Sequence, residues 1–199
     1  MAVTKSHHMS DLRLLDREPE RTGVVVGVFA KQTHGFSKDK QSSIRLIPGI
    51  GIEGDAHAGS RVKHLWSKKR QPRQPNLRQI HLIATELLDE LKTSGFDVQP
   101  GDLGENISTR NVDLTALPQS TLLRIGNEAV ISLTGLREPC VKIDRFQRGL
   151  RKLVSVEAGQ GKTLKHGVMG VVVAGGIVRA GDLVRASLPA LPHQQLGAV

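Results

Sequence analysis

The sequence predicts a mainly β fold, a closed barrel with a few peripheral helices. Three observations carry that expectation: short β-branched runs bounded by glycine and polar residues, a Gly-Asx turn repeated between apolar stretches, and few helical stripes. The 21 glycines and 9 prolines supply the turns that many short strands need. At 199 residues one domain can bury a real core, so 1–22 reads as a polar extension, 23–189 as the domain and 190–199 as a tail.

In chain order, Val24-Val25-Val26-Gly27-Val28-Phe29 is the first strand, closed by the polar run Lys31 to Lys40, and Ile44 to Ile47 is the second. Ile83, Leu87, Leu88 and Leu91 then recur at helical spacing, with Thr85 as the cap and Gly95 as the stop. Further strands are expected at Thr121–Ile125, Ala129–Leu133, Val168–Ala174, Ile177–Arg179 and Leu183–Ala186. Gly126-Asn127 and Gly181-Asp182 read as the turns of two hairpins. Gly135 breaks a strand, and Ile143, Phe146, Leu150, Leu153 and Val154 follow at helical spacing, which puts Cys140 at a strand-to-helix junction.

The net charge of +9 favours anionic partners, whether nucleic acid or a phosphate-bearing cofactor. Between Ser60 and Gln79 the basic residues Arg61, Lys63, Lys68, Lys69, Arg70, Arg73 and Arg78 stand without one acidic residue. With aromatics at 3% and no tyrosine, stacking on bases has little support, so a solvated basic loop is the reading rather than a nucleic-acid site. No apolar run is long enough to cross a bilayer, Met1 to Glu20 lacks a signal-peptide core, and a lone cysteine suits a reducing compartment. A cytoplasmic protein without membrane contact is the expectation. Gly161-Lys162-Thr163 looks like the end of a phosphate-binding loop, but that motif needs glycine where Val156 stands.

Cys140 sits in Arg137-Glu138-Pro139-Cys140, where Pro139 removes a backbone donor and restricts Glu138, holding the loop in a defined shape. A thiolate there, favoured by Arg137, Lys142 and Arg145, would serve as nucleophile, persulfide carrier or metal ligand. A buried cysteine acting as a small hydrophobe fits the local sequence equally well. Asp55 and His57 lie two apart in the glycine loop 49–59, where a carboxylate beside an imidazole would fix its tautomer. No zinc motif is present, so any metal would arrive with a cofactor. Gly101-Asp102-Leu103-Gly104-Glu105-Asn106 offers amides and the Asn106 side chain to a polar heterocycle or phosphate, or is an ordinary pair of turns.

Gly54-Asp55-Ala56-His57, Arg78-Gln79-Ile80-His81-Leu82, Gly101 to Ile107, Leu136-Arg137-Glu138-Pro139-Cys140 and Gly167-Val168-Met169-Gly170 together, in this order, resemble the MOSC domain family. That family is named for the C-terminal domain of molybdenum cofactor sulfurase, and the resemblance runs from about Val24 to Pro189. It implies a β-rich barrel and a cysteine, matching Cys140, that carries a persulfide or ligates molybdenum held by a pyranopterin. Similarity to small stand-alone bacterial members implies an oxidoreductase that reduces N-hydroxylated substrates. By the same resemblance Arg78, Gly104, Glu105, Asn106, Arg137 and Gly167 surround the molybdenum cofactor, and in the reductase reading Asp55 or His57 would supply the protons that the reduction consumes. The alternatives are a sulfur carrier or transferase with a persulfide on Cys140, and a non-enzymatic nucleic-acid-binding module. Against the family pattern, the expectation is a protein without the sulfurase's pyridoxal-phosphate domain or the membrane anchor of the animal relatives, with electrons or sulfur coming from a separate reductase or sulfur donor. The basic loop would then dock an acidic redox partner.

Overall fold

The computed structural model describes residues 21–61, 74–158 and 161–199. The first half of the chain contributes β1 (Arg21–Ala30), β2 (Asp39–Gln41), β3 (Ile44–Ile47), β4 (Gly51–Ile52), β5 (Ile80–Ala84), α1 (Thr85–Thr93) and β6 (Ile107–Arg110). The second half adds β7 (Leu122–Ile125), β8 (Ala129–Leu136), α2 (Lys142–Phe146), α3 (Leu150–Val154), β9 (Ser155–Ala158), β10 (Gly161–Leu164), β11 (Val168–Ala174), β12 (Gly176–Val178) and β13 (Leu183–Ser187).

Seven strands close a barrel in the order β1-β6-β5-β11-β8-β7-β13, and β13 returns to β1. Every pair in the ring is antiparallel except β5 and β6, whose parallel pairing needs the crossover that α1 and the following loop provide. Alternation along the strands fills the interior: Ile80 and Leu82 of β5 join Val25, Val28, Ile107, Leu123, Ile131, Val168 and Val184 in one cluster. The other face of β5 carries His81 and Ile83, and Ile83 packs outside the barrel with Leu87, Leu88 and Leu91 of α1 and Ile143, Leu150 and Val154 of α2 and α3. The described residues form a mainly β barrel with three short helices, as the sequence predicts.

Three local expectations are corrected. Thr85 is the first helical residue and caps nothing; its Oγ1 accepts from Arg110 Nε at 3.0 Å, and Ala84 holds the N-cap position without a side-chain bond. Gly95 does end the helix, at φ +87°, a conformation glycine reaches without cost from a Cβ. Gly135 does not break β8; the strand runs on to Leu136, and the missing side chain admits the C-terminal segment, since a Cβ there would lie 2.4 Å from Val199. The Gly181-Asp182 turn does not close a hairpin, because β12 pairs with β3 in a separate small sheet while β13 pairs with β7 and β1. Gly126-Asn127 does join the β7–β8 hairpin.

The helical stripe from Ile143 to Val154 is two helices, separated at Gly149 with φ +92°. The hairpin of β9 and β10 had no signal in the sequence, and Gly161–Leu164 forms a strand where a phosphate-binding loop would need a helix. Most of the basic run, residues 62–73, lies outside the described residues. The C-terminal segment packs on β8: Leu136 N donates to Gly197 O at 2.7 Å, Val199 N donates to Leu136 O at 3.2 Å, and Leu196 is buried in the core.

Candidate functional site

A cavity of about 280 Å³ opens on the outer flank of the barrel, where β1 and β8 end and where β5, β6 and β11 begin. That size is near the lower end of small-molecule sites, about 300–1,000 Å³. Its walls are the segment from Lys31 to Lys38, Asn76 and Arg78 ahead of β5, Gly104 and Asn106 ahead of β6, and Arg137, Cys140, Val141 and Lys142 after β8. Met169 faces His81 across the β11–β5 pairing, and both side chains reach the cavity.

Cys140 is part-exposed and lies two residues before α2, and its carbonyl accepts from Ile143 N at 3.1 Å. It is therefore neither buried filler nor remote from the other candidates. Among the described residues five cations, Lys31, Lys38, Arg78, Arg137 and Lys142, line the same space, and no carboxylate does. Arg145 is exposed and takes no part. The backbone of Arg137 is fixed by a 3.0 Å bond from its N–H to Gly167 O, and its Nε is out of solvent with no hydrogen-bond partner among the described residues. Burial and the charge of Arg78 work against the Arg137 guanidinium, and Cys140 works in its favour.

Asp55 lies behind the cavity wall, its side chain 2% exposed, and collects five donors. These are Lys38 Nζ, His57 N at 2.9 Å, His57 Nδ1 at 3.2 Å, Lys31 N at 3.3 Å and Asn106 Nδ2 at 3.3 Å. Burial alone would raise this carboxyl; hydrogen bonds from His57 and the charge of Lys38 outweigh it and hold Asp55 well below the usual carboxylate range. Burial pushes the Lys38 ammonium down against the pull of Asp55. The Asp55–His57 pair forms as expected, but in a turn and not along a strand, through the short reach of Asp55 to the His57 amide. His34 meets the His57 ring edge-on at 5.1 Å and is held down by burial, then by His57 and Lys142.

Asn106 ties the walls together. Its Oδ1 accepts from His81 N at 3.1 Å and its Nδ2 donates to Phe29 O at 3.1 Å as well as to Asp55. Behind it His81, 2% exposed, and His166, 1% exposed, pack edge to face at 5.2 Å. Burial first, then Arg137, lowers both imidazoles, His166 to about 3, so both are neutral rings.

Six of the sequence-predicted residues thus line one cavity: Cys140, His57, Arg78, Gly104, Asn106 and Arg137, with Asp55 directly behind. Two stand elsewhere. Glu105 is wholly buried and braces its own loop, Oε1 accepting from Gly101 N at 2.5 Å and Ser108 Oγ at 3.0 Å, and burial pushes its carboxyl up. Gly167, at φ +74°, lines a different groove with Glu86 and Glu90 and serves the site through its carbonyl bond to Arg137. Lys38, His34 and His81 are the residues that sequence reasoning missed as site members. The motif Arg78-Gln79-Ile80-His81-Leu82 contained a signal for His81, since strand alternation sets it apart from Ile80 and Leu82.

Among the described residues no group of three or more His, Cys, Asp or Glu is arranged to hold a metal ion by itself, and no helix is long and apolar enough to cross a membrane. No curated protein sequence matches the chain significantly. Several solved structures share the fold. The YUAD protein from Bacillus subtilis is 21% identical, with a TM-score of 0.72 over 86% of this chain and 98% of that one. YiiM from Escherichia coli is 18% identical, with a TM-score of 0.56 over 88% of this chain and 72% of that one. YiiM from Geobacillus stearothermophilus is 14% identical, with a TM-score of 0.56 over 87% and 77%. The MOSC domain matches residues 55–185, a span that includes Asp55, the Arg78 motif, Asn106 and Cys140. With that span matched and the barrel closed around it, the chain belongs to the MOSC domain family, which is associated with molybdenum cofactor binding.

Proposed function

We propose that the cavity binds a molybdenum cofactor with Cys140 as the metal ligand, and that the protein is an oxidoreductase acting on N-hydroxylated substrates. The observation that carries this reading is the chain's one cysteine opening onto a cavity that, among the described residues, five cations and no carboxylate line. Such a wall, with Arg78, Arg137 and Lys142 on the side of Cys140, suits a ligand bearing phosphate and thiolate charge. The residues present therefore fit the group. Cys140 would hold the metal, and Arg78, Arg137 and Lys142 would neutralise the phosphate. Bound there, the cofactor supplies two-electron redox chemistry.

Reduction of an N-hydroxyl group to an amine takes up two electrons and two protons and releases water. Asp55, held ionised, accepts from His57 Nδ1, which leaves Nε2 of that ring to carry protons to the cavity. Lys38 and Asn106 hold the Asp55 carboxylate in place, so the imidazole stays oriented through the cycle. Phe36, Val141 and Met169 supply the apolar wall that a flat substrate needs. Electrons would enter from a separate reductase.

The part-exposed position of Cys140 also suits a persulfide passed to another protein. The two readings separate cleanly. Expressed in a host that makes the cofactor, wild type should retain molybdenum and pterin in equal amounts, and Cys140→Ser should lose the metal. Absence of both from the wild type would overturn the oxidoreductase reading, and intact-mass detection of an added sulfur atom on Cys140 would support the second. With metal present, reduction of a hydroxylaminopurine by an artificial electron donor tests the chemistry.

A further inference from the structure

We infer that the exposed face of α2 and α3, beside the mouth of the Cys140 cavity, is the docking surface for an acidic electron-transfer protein. This rests on the cavity being a reductase site, as proposed above, and names where its electrons arrive and what kind of protein brings them.

From Arg137 to Lys152 the chain carries six cations and two carboxylates. Both carboxylates are engaged: Asp144 Oδ1 accepts from Gly149 N and Arg151 N at 3.2 Å each, and Glu138 is near enough to favour the charged Arg78. Lys142, Arg145, Arg148 and Lys152 are exposed and Arg151 is half-buried, and none of the five joins an ion pair among the described residues. The helices cannot turn these cations inward, because Ile143, Leu150 and Val154 are buried in the cluster with α1. Next to them Val141 stands 57% exposed, and Leu77, between two residues of the cavity wall, is exposed as well. An apolar centre edged by arginine and lysine is the anatomy of a protein interface. Cys140, Val141 and Lys142 are consecutive, about 3.8 Å apart along the chain, and all line the cavity, so a protein seated on this face lies at its mouth.

The charge selects the partner. A second copy of this chain would bring the same cations and be repelled, whereas an acidic surface is drawn in. Nucleic acid is disfavoured because the face offers no free aromatic ring for stacking: Phe146 is half-buried and tilted against Phe36 at 5.4 Å. Two helices of five residues make a small platform, which suits electron-transfer contacts, typically below about 1,200 Å². A one-electron carrier docking twice supplies the two electrons of the reduction, with two protons taken up and water released.

The test uses the full chain and an acidic plant-type ferredoxin as the probe. Calorimetric titration is done at about 0.1 M ionic strength, where charges more than about 10 Å apart are screened. Arg145→Glu/Arg148→Glu should weaken binding about tenfold or more. Arg124→Glu/Arg185→Glu, which reverses equal charge at exposed sites on β7 and β13, should cost about threefold at most. Neither Arg145 nor Arg148 lines the cavity, so reduction of 6-hydroxylaminopurine by the cofactor-loaded protein with a small reduced dye should be unchanged in the first variant. The ferredoxin-driven rate should fall about tenfold. Equal loss from both pairs, or none from Arg145→Glu/Arg148→Glu, overturns the inference. Tighter binding of an oligothymidylate than of ferredoxin, lost with the same two reversals, also overturns it and makes the face a nucleic-acid site. Dye-driven turnover in a wild type that does not bind ferredoxin overturns the inference and leaves the function standing. Ferredoxin bound at this face without dye-driven turnover overturns the reductase reading instead.

Discussion

Replacing His166 with leucine should make the protein markedly less sensitive to acid. The ring is 1% exposed, neither nitrogen has a hydrogen-bond partner among the described residues, and burial followed by the Arg137 charge lowers its pKa to about 3. An unfolded histidine titrates near 6.5, so the unfolded chain takes up a proton that the folded chain refuses. The folded-state pKa is depressed, so the stability it governs is fully present above about 6.5 and drains away as pH falls toward about 3. At about 1.4 kcal/mol per pH unit, the wild type should lose about 3 kcal/mol through this group between pH 7.5 and pH 4. Leucine has similar volume, leaves the backbone carbonyl that serves His81, and cannot titrate. Urea unfolding of wild type and His166→Leu at pH 7.5, 6, 5 and 4 reads the difference directly. The variant should stay within about 1.5 kcal/mol of wild type at pH 7.5 and gain about 3 kcal/mol relative to it by pH 4. A stability difference that is flat with pH, or that moves against the variant in acid, would refute the picture of a neutral ring held without partners.

Asp55→Ala should cost about 3–5 kcal/mol, because Lys38, at 6% side-chain exposure, is left as a buried charge without its partner. At about 2–4 °C per kcal/mol for a chain of this size, calorimetry should show the melting temperature fall by roughly 6–20 °C, and Lys38→Met in the same chain should restore part of it. Gly104→Ala should destabilise by about 2–4 kcal/mol in urea and abolish pterin binding, since φ +80° is strained for alanine and its Cβ would meet the Phe36 carbonyl at 2.4 Å. Deleting residues 195–199 should cost about 2–4 kcal/mol in urea, from the burial of Leu196 and the two backbone bonds at Leu136.

Much of the site was legible because short motifs carry backbone demands. Gly104 and Gly167 take positive φ, and Asp55 and His57 are close enough in sequence to meet whatever the surrounding fold. Cys140 was findable as the one thiol, and the paired turns signalled a β fold. What was hidden depends on long-range packing. Lys38 reads as an exposed lysine in a polar run, and only the return of Asp55 beneath it makes it a buried ion pair. Glu105, by contrast, sits inside a functional-looking loop yet spends its carboxylate on Gly101 and Ser108, an assignment that needs the side-chain direction. The second hairpin failed for a related reason: a turn signal locates a reversal but not the partner of the strand that follows it, and β12 found β3 instead of β13.

The seam between β1 and β13 pairs Arg21 with Ala186, near opposite limits of the described chain. During synthesis the first half of one edge of β1 therefore stays open until the last barrel strand has left the ribosome, while β2 pairs with the second half and β6 occupies the other edge. Closure is a late, slow step dominated by distant contacts. A ligand that needs the finished barrel would be loaded only once β13 is in place, and in the interval the β-branched run Val24-Val25-Val26 is the segment most exposed to mispairing, where a chaperone or a neighbouring nascent chain would compete for it.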